Sequence, residues 1–324
     1  MSLAVVLSRH GGPDALEIAE RELASPRNGE IRVKHTAIGV NYHDIYVRQG
    51  SSGSLALPGV PGIEAAGIVV ARGEGVEGVS IGERIAYVTP TYGCYAQEAN
   101  VPAAYAMPLP SILSEASAAS TMLKALTARM LLEECYRVRS GQTVLVHAAS
   151  GGVGQFLCQW AKAIGATVVG TVSTPGRSEP ARRAGADHVI ARSEGSFVDA
   201  VRELTGGLGV SAVYDAIGAE TIEASLACLA YGGALINYGE ASGVPGPISL
   251  NTLGERSLSV SRPRIFHFLR TDEQRQEAQR AVFGALEAGW LRPMDPLVFP
   301  LREAALAHET LENRGGPGGI VLQP

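Results

Sequence analysis

The 324-residue sequence is poor in cysteine: Cys94, Cys135, Cys158 and Cys228 are scattered, with no CxxC pair. That spacing excludes a disulfide framework and a cysteine-built zinc site, and it reads as the reduced thiols of a cytoplasmic protein. Long apolar runs are also missing. None approaches the roughly 20 residues that a membrane span requires. A strand-like AVVLS follows Met1-Ser2-Leu3 directly, which leaves no room for a signal or transit peptide. Charge of one sign is scarce too. A net charge of −5 gives no general grip on nucleic acid or an anionic membrane, so neither is an expected partner. No two of the seven histidines lie three or four residues apart, so helical His–His metal pairs are absent.

What is present divides into two textures, and the length suits about two domains of roughly 150 residues each. Residues 1–118 read as short strands separated by Gly, Pro and Asn clusters: LEIAE, EIRVKHTAIGV, AAGIVVARG and ERIAYV. This pattern predicts a partly closed β-barrel. From about Ser111 the spacing turns helical in SILSEASAASTMLKALTARMLLEE, and from Gly141 strands and helices alternate through VLVHA, ATVVGTV, DHVIA, VSAVYDA and GGALINYG. Such alternation predicts an α/β, doubly wound parallel sheet over residues 119–264. The tail, 265–324, holds a polar helix and ends in a strand. It resembles the first domain, which is therefore expected to comprise 1–118 and 265–324.

The strongest motif is VLVHAASGGVGQFLCQWAKAIGA. Ala149, Gly151 and Gly154 form A-x-G-x-x-G between an apolar strand and an apolar helix. Gly151 and Gly152 would admit a pyrophosphate to the backbone, Gly154 would let the helix pack on the strand, and the helix start at Val153 would offer N–H groups to phosphate. Sites that prefer NAD usually carry an acid at the end of the second strand. Here that strand ends in neutral Ser173 and Thr174, and Arg177 and Arg192 follow. Guanidinium groups without a competing acid favour a 2′-phosphate, hence NADPH.

HAASGGVG, NYHDIYVRQG, PGIEAAGIV and the SRP ending at Pro263, in this order over nearly the whole chain, resemble the zeta-crystallin-like quinone oxidoreductases of the medium-chain dehydrogenase/reductase superfamily. The resemblance implies a GroES-like catalytic domain built from both chain ends around a central Rossmann domain, assembled as a homodimer. It implies that Asn41 and Tyr46 line the nicotinamide pocket. Lys124 and Thr127 would border the nicotinamide, and Arg177 would meet the 2′-phosphate. Asn237, Tyr238 and Gly239 would edge the cofactor, and Arg262 and Arg314 would reach it from the domain junction. Arg192 stands where relatives often carry Tyr, and Ser52 where many carry another Tyr.

By the same resemblance, the three zinc ligands of the alcohol dehydrogenases correspond to Asn41, Ile63 and Leu123, none of which supplies a thiolate or imidazole. The expected activity is therefore zinc-independent, NADPH-dependent reduction of a small quinone bound in the interdomain cleft. Reduction of α,β-unsaturated carbonyls or enoyl thioesters is the alternative. A non-catalytic NADPH-binding sensor or an RNA-binding crystallin is the alternative of another class.

Overall fold

The structure, a computed structural model, describes residues 1–51, 54–314 (Arg314 by its main chain alone) and 319–324. The chain forms two compact units. Unit 1 comprises Met1–Leu123, Thr271–Glu287 and Arg292–Pro324, and unit 2 comprises Lys124–Arg270 and Ala288–Leu291.

Unit 1 opens with β1 (Ser2–Leu7), β2 (Leu16–Arg21) and the long β3 (Glu30–Val40), followed by α1 (Tyr42–Gln49). Strands β4 (Glu64–Arg72), β5 (Arg84–Val88), β6 (Glu98–Pro102) and β7 (Ala106–Pro108) lead to α2 (Glu115–Arg129). Strand β3 alternates buried Ile31 and Val33 with less buried neighbours and then buries every residue from Ala37 to Val40. The change has a simple cause: a Cβ on Gly39 would lie 2.6 Å from Glu64 Oε2 and closer still to the Ala119 carbonyl of α2. The helix covers the face that the first half of the strand leaves open.

Unit 2 contains β8 (Thr143–Val146), α3 (Gly152–Ile164), β9 (Thr167–Val172), α4 (Ser178–Arg183), β10 (His188–Ala191), α5 (Phe197–Leu204), β11 (Val210–Asp215), α6 (Ile222–Cys228), β12 (Leu229–Asn237), α7 (Leu250–Gly254) and β13 (Ser259–Ser261). Its six strands are all parallel and stand in the order β10-β9-β8-β11-β12-β13. This is the doubly wound arrangement that changes direction beside the first strand. Val144, Leu145 and Val146 are fully buried, at about 1.5–3 kcal/mol each, and Gly165 closes α3 in the left-handed conformation.

The chain then returns to unit 1 through α8 (Asp272–Glu287), β14 (Leu297–Pro300), α9 (Ala304–Arg314) and β15 (Ile320–Gln323). The larger sheet of unit 1 runs β14-β15-β3-β4-β5-β7, with β6 also on β3, and Ile320 pairs with Val40. Leu301, Ala304, Ile320 and Leu322 enter the same core as Val5, Ile31 and Ile85. The two chain ends thus share one core.

Reading residues 1–118 as strands and turns alone requires a correction at Tyr42–Gln49, which is a helix. Asn41 starts it in extended conformation, the Asp44 carboxylate accepts the Asn41 main-chain N–H at 2.8 Å, and Gly50 ends it at φ 74°.

Candidate active site

In unit 2, the residues expected to touch a dinucleotide collect at the carboxyl ends of the parallel strands. Ala149 to Gly154 follow β8; Ser173 follows β9, with Arg177 in the next turn; Arg192 follows β10. Asn237 ends β12 and leads to Tyr238 and Gly239, and Arg262 follows β13. Ligands of doubly wound sheets bind at this edge.

The loop after β8 is held by close contacts. Ala148 takes φ 51°, a left-handed conformation that costs an alanine about 1–2 kcal/mol. Its carbonyl accepts the Gly151 N–H at 2.8 Å. Ala149, at the first glycine position of the fingerprint, donates its N–H to Thr171 at 2.9 Å. Its methyl group fits because β9 carries Gly170, where an added Cβ would sit 2.7 Å away. Gly154 cannot carry a side chain: its Cβ would lie well inside 3.0 Å of the Ala148 carbonyl oxygen and 2.9 Å from Ala149 Cα. At Gly152 the space is filled differently, by Lys124, whose Cδ would be 2.9 Å from an added methyl. Lys124 is buried, and Thr127 sits half-buried one turn further along α2. In the first turn of α3, Gly152, Val153 and Gly154 have no intrahelical acceptor for their N–H groups, a setting that suits a phosphate.

The charged side chains are distributed unevenly. Arg192 reaches Glu220 at 3.5 Å, and its buried Nε has no hydrogen-bond partner among the described residues. Arg177 is half-buried, while Ser173 is exposed. Arg262 forms an ion pair with the buried Glu240. Asn237 donates to the Gly239 carbonyl at 2.8 Å, and its buried Oδ1 is without a hydrogen-bond partner among the described residues. Arg314 ends α9, and its side chain lies outside the described residues, as does Ser52.

Two residues at this edge carried no sequence-based expectation. Asp215, at the end of β11, accepts the N–H groups of Ile217 (2.7 Å) and Gly218 (3.2 Å) and the Thr221 hydroxyl (3.0 Å). Burial raises its carboxyl above the ordinary range, and the hydrogen bonds oppose that shift. His147 bridges Thr171 Oγ1 (2.8 Å) and Ser225 Oγ (2.9 Å), and burial lowers its pKa to about 3. Both fasten the strand ends.

In unit 1, Asn41 is buried where β3 passes into α1, and its Nδ2 donates to Glu64 Oε2 at 2.9 Å. Glu64 is fully buried, and its Oε1 accepts the Leu123 main-chain N–H at 2.7 Å. Asn41, Ile63 and Leu123 therefore adjoin one buried carboxylate. Sequence reasoning passed over Glu64, although an acid inside the apolar GIEAAGIV was the signal. Tyr46 is half-buried on α1, its ring centroid 6.1 Å from that of Tyr42. Among the described residues, no group of three or more His, Cys, Asp and Glu is placed to hold a metal ion. No described helix is long and apolar enough to cross a membrane.

Comparisons with known proteins agree with this architecture. An alcohol dehydrogenase GroES-like domain matches residues 27–111, and a zinc-binding dehydrogenase domain matches residues 152–282. The chain is 42% identical to a 2-haloacrylate reductase of Burkholderia sp., covering 100% of this chain and 99% of that protein. It is 38% identical to quinone oxidoreductase 1 of Escherichia coli, covering 100% of both. The crystal structure of Escherichia coli quinone oxidoreductase complexed with NADPH superposes with a TM-score of 0.96 at 38% identity, covering 99% of this chain and 100% of that one. This chain belongs to the quinone oxidoreductase family of the medium-chain dehydrogenase/reductase superfamily.

Proposed function

We propose that this chain is an NADPH-dependent, zinc-independent quinone reductase. The observation that supports the reading most strongly is the gathering of Gly151–Gly154, Ser173, Arg177, Arg192, Asn237 and Arg262 at the strand ends of unit 2. The fit to NADPH rests on chemistry. Among the described residues, Arg192 Nε and Asn237 Oδ1 are buried without a hydrogen-bond partner, and the α3 start lacks side chains at Gly151 and Gly152. Arg177 and Arg192 would hold the 2′-phosphate, the α3 start the pyrophosphate, and Asn237 the nicotinamide carboxamide. When bound, the cofactor supplies a hydride. The chain's own part is to hold the acceptor flat, with Asn41 and Tyr46 as its wall, and to keep water out. A quinone is already electrophilic and needs no Lewis acid. The nature of the Burkholderia relative favours a second reading, reduction of an activated alkene such as a 2-haloacrylate.

Consumption of NADPH absorbance with phenanthrenequinone, 2-chloroacrylate and crotonyl thioester separates these readings. After dialysis against a strong chelator, quinone is expected to be reduced fastest at an unchanged rate. Faster haloacrylate turnover would establish the second reading, loss of activity with a stoichiometric zinc would overturn metal independence, and NADPH binding without any turnover would leave a non-catalytic role. The homodimer belongs to this reading as well, because β13 is an edge strand that a second copy could extend. Light scattering is expected to give twice the chain mass, and monomer alone at micromolar concentration would contradict it.

A further inference from the structure

We infer that His147 is a positioning residue: through Thr171 it holds the left-handed turn at Ala148, and so sets where the start of α3 places its N–H groups. This rests on the reading above, in which those groups hold the pyrophosphate of NADPH.

The turn needs holding. Ala148 carries a Cβ at φ 51°, in a region that glycine adopts without steric penalty. A residue placed there keeps its conformation only while its surroundings outweigh the strain. What depends on it lies close by. The Ala148 carbonyl accepts the Gly151 N–H at 2.8 Å, and Gly154 packs on the same oxygen. Release of Ala148 to negative φ would redirect the carbonyl on which the approach to α3 is built.

Both neighbours of Ala148 are tied to one residue of β9. Ala149 donates its N–H to the Thr171 carbonyl at 2.9 Å, and His147 Nδ1 lies 2.8 Å from the Thr171 hydroxyl oxygen. The His147 ring is kept toward this partner by its other contacts. Nε2 meets the Ser225 hydroxyl oxygen on α6 at 2.9 Å, and the Phe197 ring packs edge-on at a centroid distance of 5.0 Å. The His147 main-chain N–H donates to the Tyr214 carbonyl of β11 at 3.0 Å. Burial keeps the imidazole neutral, so one ring nitrogen donates and the other accepts. A hydroxyl does either, and both bonds therefore stand in either tautomer. His147, Thr171 and Ser225 are all fully buried, so water does not compete for these bonds. Fastening alone would value the two side-chain bonds equally. Bracketing Ala148 gives Thr171 a part that Ser225 lacks, because Thr171 also takes the Ala149 N–H.

The test is calorimetric titration of the whole chain with NADPH, with thermal unfolding measured on every variant. Thr171→Val keeps the shape and the carbonyl but removes the hydroxyl, and it is expected to weaken NADPH binding about tenfold. Ser225→Ala removes the other bond and is expected to change the affinity less than about twofold. Glycine at 148 needs no such support. In an Ala148→Gly background, Thr171→Val is therefore expected to weaken binding less than about threefold. His147→Asn, whose amide still reaches Thr171, is expected to bind NADPH better than His147→Gln, whose amide reaches Ser225. That pair serves if Thr171→Val does not fold, and the reverse order would overturn the inference. Equal losses from Thr171→Val and Ser225→Ala would overturn it, as would the same loss with alanine and with glycine at 148. A Thr171→Val chain that binds NADPH like its parent would overturn it while leaving the pyrophosphate site intact. A parent chain that binds no NADPH would instead remove that reading, and the inference with it.

Discussion

Between pH 6.5 and about 4 the folded chain is expected to lose stability at a limiting rate of about 4 kcal/mol per pH unit. The cause is three buried neutral imidazoles. Burial lowers His35 to about 4, and lowers His147 and His308 to about 3, from an ordinary value of 6.5. His35 is fixed between the Ala96 carbonyl and the Tyr87 hydroxyl, each at 2.7 Å, and His308 lies between Arg48 and Tyr95. The sign follows from linkage: below pH 6.5 the unfolded chain binds up to three protons that the folded chain refuses. Stability is therefore complete above 6.5 and falls as the pH drops toward the folded values. At pH 4.5 the accumulated loss, about 8 kcal/mol, rivals the whole stability of a typical domain. Asp215, whose pKa is raised, opposes this with a single carboxyl. Asp14, Glu115 and Asp187, whose pKa values are lowered, add their losses only near and below 4.5. Urea unfolding at pH 7, 5.5 and 4.5 reads the slope. His147→Gln is expected to reduce it by about a third, and a flat profile would contradict the buried, neutral assignment.

Gly154→Ala is expected to destabilise the chain by about 1–3 kcal/mol and to weaken NADPH binding by tenfold or more. The added methyl would press on the Ala148 carbonyl, which cannot yield easily. That carbonyl accepts from Gly151, and Ala149 is bonded to Thr171 on the other side. The start of α3 must therefore shift away from β8, carrying with it the N–H groups proposed to hold the pyrophosphate. Gly152→Ala is the informative contrast. It meets only the flexible stem of Lys124, so its effect on Tm is expected to be much smaller. Thermal unfolding and titration calorimetry on both variants decide the matter. A Gly154→Ala protein as stable as its parent would contradict the close packing described at the loop.

The doubly wound unit was legible because its signals are local. VLVHAASGGVG carries strand, turn and helix start in one stretch, and Gly165 stops α3 where the apolar spacing ends. Helix α1 was hidden for a definable reason. Two of its inward-facing residues, Asp44 and Arg48, are charged, so the apolar stripe that marks a helix is missing. Their partners Tyr95, His308 and Glu312 are remote in sequence, and no local pattern predicts the pairing. Glu64 was hidden in the same way: its donors Asn41 and Leu123 lie 23 and 59 residues away. In the other direction, the sequence marked Arg262 as a cofactor contact without showing that Glu240 already pairs with it.

The central claim is that the strand ends of unit 2 form an NADPH site, and parallel calorimetric titrations with NADPH and NADH test it most directly. In the proposed site Arg192 would be the main discriminator: its competing partner Glu220 is largely exposed, and a surface pair of this kind is given up at little cost. NADPH is expected to bind more tightly by about 1–3 kcal/mol, a factor of roughly 5–150, and Arg192→Ala to remove most of that difference. Equal affinity for the two cofactors in the parent protein would contradict the account.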